Sequence, residues 1–181
     1  MSEQLDVLKL VSGRLDRAGI AYMISGSIAL SYYAQPRLTR DIDIVVELNP
    51  NDAERLADLF ANDFYIDAEM IRDAVARDGM FNAIHYESVM KIDFIVRKDT
   101  PYRQQEFLRR CPIEVDDMTL WFVTAEDLLL SKLVWAADSQ SEMQLNDIRN
   151  LITAVVTLDW TYIEYWATEL QVAALLREVG G

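Results

Sequence analysis

Between Gly26 and Val46 the chain reads GSIALSYYAQPRLTRDIDIVV, and its last six residues leave little freedom of fold. In Asp41-Ile42-Asp43-Ile44-Val45-Val46 the alternation of residues has the period of an extended strand, whose side chains point to opposite faces in turn. Ile42, Ile44 and Val46 share one face; Asp41, Asp43 and Val45 share the other. Such a strand buries one face of a sheet while projecting two carboxylates from the other. Side by side, two carboxylates repel unless a cation lies between them, and a hard divalent ion with oxygen ligands is the usual remedy. The pattern therefore predicts a magnesium site at the start of this strand. Upstream, Gly26-Ser27 interrupts the short apolar run Ile20 to Ser25. Ser27 to Tyr33 then reads as a helix ended by Pro36, with its first backbone N–H groups directed toward the end of the sheet where Asp41 emerges.

The remaining composition narrows the class. A chain of 181 residues with 51% hydrophobic positions can bury one good core. Its formal charge of −13 disfavours non-specific attraction to nucleic acid, which relies on an excess of Lys and Arg. The run Arg97, Lys98, Arg103, Arg109 and Arg110 is either a local anion-attracting patch or a solvated polar helix. With Cys111 and His85 each alone of its kind, neither an intrachain disulfide nor a Cys/His zinc cluster is available. The amino-terminal stretch carries charges every few residues, and no apolar span reaches about 18 residues. The expectation is a soluble, cytoplasmic protein with no membrane contact.

Leu5, Leu8, Val11 and Leu15 recur at helical spacing before Gly19, which predicts an amphipathic helix over residues 3–18. Further helices are expected at Ala53 to Phe60, Asp67 to Arg77 and Asp99 to Arg110, with a short strand at Phe64 to Ile66. Phe81 to Tyr86 and Val89 to Val96 read as a hairpin around Glu87-Ser88, and Ile113 to Phe122 as one or two strands around Asp116-Asp117. In Lys91-Ile92-Asp93-Phe94-Ile95-Val96, Lys91 and Asp93 share the face opposite Ile92, Phe94 and Val96, so a third strand carboxylate appears. Lys91 either neutralises Asp93 or contacts an anion. Thr124 with Glu126 and Asp127 is a helix-capping arrangement; helices follow at Leu128 to Ala137, on to about Thr157, and at Thr161 to Arg177. A boundary near Val123 divides an α/β core, 1–123, from a helical subdomain, 124–181.

The order Gly26-Ser27, helix, Asp41-x-Asp43 on a strand, and Asp93 on a later strand resembles the nucleotidyltransferase superfamily that includes DNA polymerase beta and the small antibiotic-modifying nucleotidyltransferases. Thr39 to Asp43, Thr124 to Leu128 leading to Lys132-Leu133, Asn146-Asp147, Leu158-Asp159-Trp160, Tyr162-Ile163 and Trp166-Ala167 are similar to the nucleotidyltransferase-like components of abortive-infection toxin–antitoxin systems. The resemblance spans nearly the whole chain. It implies an α+β fold, a mixed β-sheet core flanked by helices with a C-terminal helical bundle.

By the same resemblance, Asp41 and Asp43 hold magnesium bound to a nucleoside triphosphate, while Asp93 completes a second ion site and helps deprotonate a hydroxyl. Gly26 and Ser27 approach phosphate. Arg40 and Lys132 contact the triphosphate, Arg40 being the weaker candidate because strand alternation aims it away from Asp41. Asp147 stands between a nucleotide contact and a helix-surface charge. The implied reaction moves a nucleoside monophosphate to a hydroxyl of a tRNA end, a protein or a small molecule and releases pyrophosphate. The alternatives are a regulatory module of the same fold, pairing with a toxin or another protein through its C-terminal helices, and a metal-dependent phosphohydrolase. Three retained carboxylates that repel one another argue against the module. Two departures from the superfamily pattern stand out: thirteen residues separate Ser27 from Asp41, and Lys91 shares a face with Asp93. His85 receives no catalytic duty, and Trp121, Trp135, Trp160 and Trp166 read as core aromatics.

Overall fold

The computed structural model describes residues 3–36 and 39–180. Its centre is a mixed sheet of seven strands: β1 (Tyr22–Ile24), β2 (Asp41–Val46), β3 (Phe64–Tyr65), β4 (Met80–His85), β5 (Lys91–Val96), β6 (Cys111–Val115) and β7 (Met118–Phe122). Their order across the sheet is β3-β4-β5-β2-β1-β7-β6. The pairs β2–β5 and β1–β7 are parallel and the rest antiparallel. Helices α1 (Glu3–Ala18), α2 (Gly26–Tyr33), α3 (Ala53–Phe60), α4 (Ala68–Ala76) and α5 (Pro101–Leu108) connect or cover the strands, and α6 (Ala125–Ser139), α7 (Glu142–Ala154), α8 (Trp160–Glu169) and α9 (Ala173–Gly180) form the helical C-terminal part. The α+β architecture that the resemblance implies is the one observed.

The sheet centre follows from the period of two. Ile42, Ile44, Val46, Ile92, Phe94 and Val96 are all buried on one face, at roughly 1.5–3 kcal/mol for each large side chain. There the Phe94 ring lies 5.1 Å from Phe81 and 5.8 Å from Phe60 of α3, which also meets Phe64 at 5.3 Å. A slip of one residue would bury the aspartates and expose this apolar set, so packing fixes which way the carboxylates point.

Two elements differ from the sequence expectation. The β4–β5 turn is longer than Glu87-Ser88: Val89, read as strand, sits in the turn with φ +55°, and His85 Nδ1 meets Ser88 Oγ at 2.8 Å. His85 thus serves the turn. The final helix divides into α8 and α9 at Gln171, where φ is +60° and the Val172 N–H reaches back to Ala167 O. No helix among the described residues is long and apolar enough to cross a membrane.

Candidate active site

In the parallel pairing of β2 with β5, Asp41 lies opposite Lys91 and Asp43 opposite Asp93. Residues paired across adjacent strands share a face, so all four side chains stand together on the side away from the Ile42–Phe94 core. Asp41 is exposed, Asp43 half-buried and Asp93 buried. Lys91 Nζ lies 2.9 Å from Asp93 and 3.7 Å from Asp41.

The turn before α2 is built around Asp43. Gly26 adopts φ +59°, a left-handed conformation that glycine reaches without penalty, and a Cβ added there would overlap the Asp43 carboxylate. Ser25 N–H donates to Asp43 O at 2.9 Å, and the Ser27 N–H donates to the Asp43 carboxylate. The glycine expected to admit phosphate therefore also admits an aspartate. Burial pushes the Asp43 carboxyl above the usual carboxylate range, and the charge of Asp93 adds to this; the Ser27 N–H and Lys132 act in the opposite direction, while Asp41 raises it further.

A cleft of about 260 Å³ opens beside these carboxylates, lined by Ser25, Gly26, Ser27, Thr39, Asp41 and Asp43 on the sheet side and by Lys132, Trp135, Met143 and Gln144 from α6 and α7. Lys132 is buried and donates to Asp147 at 2.7 Å and to Gln144 Oε1 at 3.1 Å. Asp147 is also buried, and its oxygen holds the ammonium group that lines the cleft. The helical spacing of α6 gave no sign that Lys132 was buried; only its place in the resembling segment singled it out. Arg40 is exposed, between the cleft-lining residues Thr39 and Asp41. Trp135, read as core, is 54% exposed and forms part of the cleft wall. A larger hollow of about 460 Å³ lies at Trp160, Glu164 and Arg177 of the C-terminal helices, away from the strand carboxylates.

The basic run after Asp93 forms structural pairs. Arg97 meets Glu47 at 2.6 Å, Arg103 meets Glu106 at 2.8 Å, and Arg109 meets Asp127 at 3.0 Å. Arg110 lies over the ring of Phe107. A buried centre that the sequence showed only as a cap is Asp127. Its carboxylate receives Thr124 Oγ1 and Tyr162 OH, both at 2.7 Å, in addition to Arg109, whose guanidinium lies 3.9 Å from the Tyr162 ring centroid.

As to a metal, Asp41 and Asp43 alternate onto one face beside the Gly26 turn, with Lys91 and Asp93 opposite them on β5, and their carboxylates offer hard oxygens suited to one divalent cation. Among the described residues no group of three His, Cys, Asp or Glu side chains is arranged to hold an ion.

Comparisons place this geometry among known proteins. A search of curated proteins gives no match. An antigenic nucleotidyltransferase-like protein from Paracoccidioides brasiliensis superposes with a TM-score of 0.68 at 19% identity, covering 97% of this chain and 88% of that one. The lincosamide antibiotic adenylyltransferase LnuA, solved with lincomycin bound, gives 0.56 at 12% identity, covering 86% and 98%. The antibiotic-resistance factor ANT(2'')-Ia, in complex with adenylyl-2''-tobramycin, gives 0.53 at 14% identity and 100% of both chains. At these identities the likeness establishes a shared fold. A family model described as nucleotidyl transferase AbiEii toxin, type IV TA system, matches residues 18–159. That match takes in most of the sequence, with the Gly26-Ser27 turn, all three strand aspartates, Lys132 and Asp147 inside it, and the chain belongs to the AbiEii nucleotidyltransferase toxin family.

Proposed function

We propose that the cleft binds a nucleoside triphosphate with magnesium and transfers its nucleoside monophosphate to a hydroxyl, releasing pyrophosphate. The observation that carries this reading is the convergence of Asp41, Asp43 and Asp93, from two parallel strands, on one sheet face, where Asp41 and Asp43 line a cleft walled by the α2 N-terminus and a buried lysine. When bound at Asp41 and Asp43, a divalent ion would neutralise phosphate charge and polarise the phosphoryl group under attack. The remaining work falls to side chains. Asp43, disfavoured as an anion where it sits, is kept aimed into the cleft by the Ser27 N–H and by the absence of a Cβ at Gly26. Lys132, fixed by Asp147, presents positive charge to the triphosphate, and the α2 N-terminus adds its dipole. Asp93 is the candidate acceptor of the proton from the attacking hydroxyl. Trp135, one helical turn beyond Lys132, offers a flat wall for the base. The acceptor hydroxyl is assigned to an RNA end, a protein or a small molecule.

Calorimetric titration of each nucleoside triphosphate into the full-length protein tests this, with magnesium and with chelator, for the wild type and Asp43→Asn. Binding is expected only with magnesium, and at least about tenfold weaker in the folded variant, an affinity loss of about 1.4 kcal/mol or more. A folded wild type that binds no triphosphate would overturn the reading and leave the regulatory module.

A further inference from the structure

The structure assigns Lys91 a role beyond that reading, on which it rests: its ammonium group is a tethered cation standing where a second metal ion would lie, so that the cleft holds one divalent cation with its nucleotide. Three observations carry this. First, the β2–β5 register puts Lys91 directly opposite Asp41, and Asp93 directly opposite Asp43, so the four groups occupy the corners of one patch on a single sheet face. The lysine is thus built into the carboxylate cluster by backbone pairing. Second, Lys91 Nζ reaches both Asp93, at 2.9 Å, and Asp41, at 3.7 Å. An ion shared by those two carboxylates would have to lie against the ammonium group, where like charges a few ångströms apart repel. Third, Asp93 is only 7% exposed, and a buried carboxylate without a partner is costly. Removing Lys91 would therefore leave Asp93 in need of another cation.

The donor set agrees with this division. Asp41 and Asp43 share a strand face and suit one ion, whereas Asp93 is already paired with the Lys91 ammonium group. Lysine also differs from a metal in kind. Its ammonium is a compact charge with rotatable donors, able to pair with Asp93 and to offer an N–H to an entering phosphate or hydroxyl, yet unable to polarise oxygen as a divalent ion does.

Manganese(II) provides the count. The full-length protein is saturated with a non-hydrolysable α,β-methylene analogue of whichever triphosphate calorimetry selects. Bound manganese per bound nucleotide is then read from the loss of the free-ion paramagnetic resonance signal, with thermal melts as the control of folding. The expected counts are one for the wild type, one for Lys91→Arg, which keeps the tethered charge, and two for Lys91→Met, falling back to one in Lys91→Met with Asp93→Asn. Two ions in the wild type, or one ion in a folded Lys91→Met, would overturn the assignment of Lys91. No manganese with nucleotide in the wild type would instead overturn the metal-dependent transferase reading, a separate result because it appears before any variant is made.

Discussion

At the scale of single residues, Asp43 is held in a conformation and charge state that work against each other. The glycine turn and the Ser27 N–H orient it, while burial and the neighbouring carboxylates oppose its ionisation. Its folded-state pKa is therefore raised above the usual aspartate value of 3.8, and linkage sets the sign of the consequence. Above the raised value the fold carries an unfavourable charge. As pH falls through the raised value toward 3.8 the carboxyl takes up a proton in the fold more readily than in the unfolded chain, and the penalty fades. Asp43→Asn, which keeps the shape and an oxygen acceptor for the Ser27 N–H, should thus melt at higher temperature than the wild type at pH 7. The gap should narrow steadily on acidification and close below about pH 3.8. Melting curves of both proteins across pH 3.5–8 would show it. A gap that is constant with pH, or a variant less stable at pH 7, would mean that the charge of Asp43 is structurally favourable.

At the scale of elements, strands were legible where one face is buried and helices where Gly, Pro or a cap punctuates them. The period of two in Asp41 to Val46 and Lys91 to Val96 decided both the strands and the face that bears the aspartates, because moving either strand by one residue would expose Ile44 or Phe94. The division of α8 from α9 was not legible, since Gln171 takes a positive φ without being Gly or Asn. Nor was the pairing of Lys132 with Asp147, because it joins two helices at a spacing no local period encodes. The same holds for Asp127. Its position after Thr124 announced a helix cap, and the Asp127 N–H does donate to the Thr124 hydroxyl oxygen, at 3.3 Å. The carboxylate does more, joining Arg109 just past α5 to Tyr162 of α8 across the start of α6. Arg109 keeps Glu126 at 3.3 Å, but Asp127→Ala leaves the Thr124 and Tyr162 hydroxyls without their acceptor and should lose about 1–3 kcal/mol of stability. Chemical denaturation of the two proteins measures this. A loss below about 1 kcal/mol, the level of an ordinary cap, would reduce Asp127 to the capping role read from the sequence.

At the scale of the whole molecule, the cleft has no single owner. The turn at Gly26, the strands β2 and β5, and the helices α6 and α7 each bring one wall, and residues as far apart in sequence as Ser27 and Gln144 line it. The sheet order explains why. Placing β2 between β5 and β1 puts the carboxylates mid-sheet, while the parallel pairing of β1 with β7 leads the chain through Val123, whose N–H donates to Ile24 O, and on into α6. Helix α6 then starts from the sheet and carries Lys132 alongside it. A ligand that touches both the Gly26 turn and Lys132 must couple the sheet to the C-terminal helices, and binding to the native state alone stabilises by mass action, by about 2.7 kcal/mol at a hundredfold excess over Kd. Magnesium with the selected triphosphate should therefore raise the melting temperature, an effect chelator removes. It should also slow backbone hydrogen exchange in two places at once, in α2 and in α6 with α7. Helix α3, packed through Phe60 against Phe94 on the sheet face opposite the carboxylates, serves as the internal reference. Protection confined to α2 would mean that phosphate is held by the glycine turn without Lys132. Protection confined to α6 and α7 would mean that the strand carboxylates take no part in nucleotide binding.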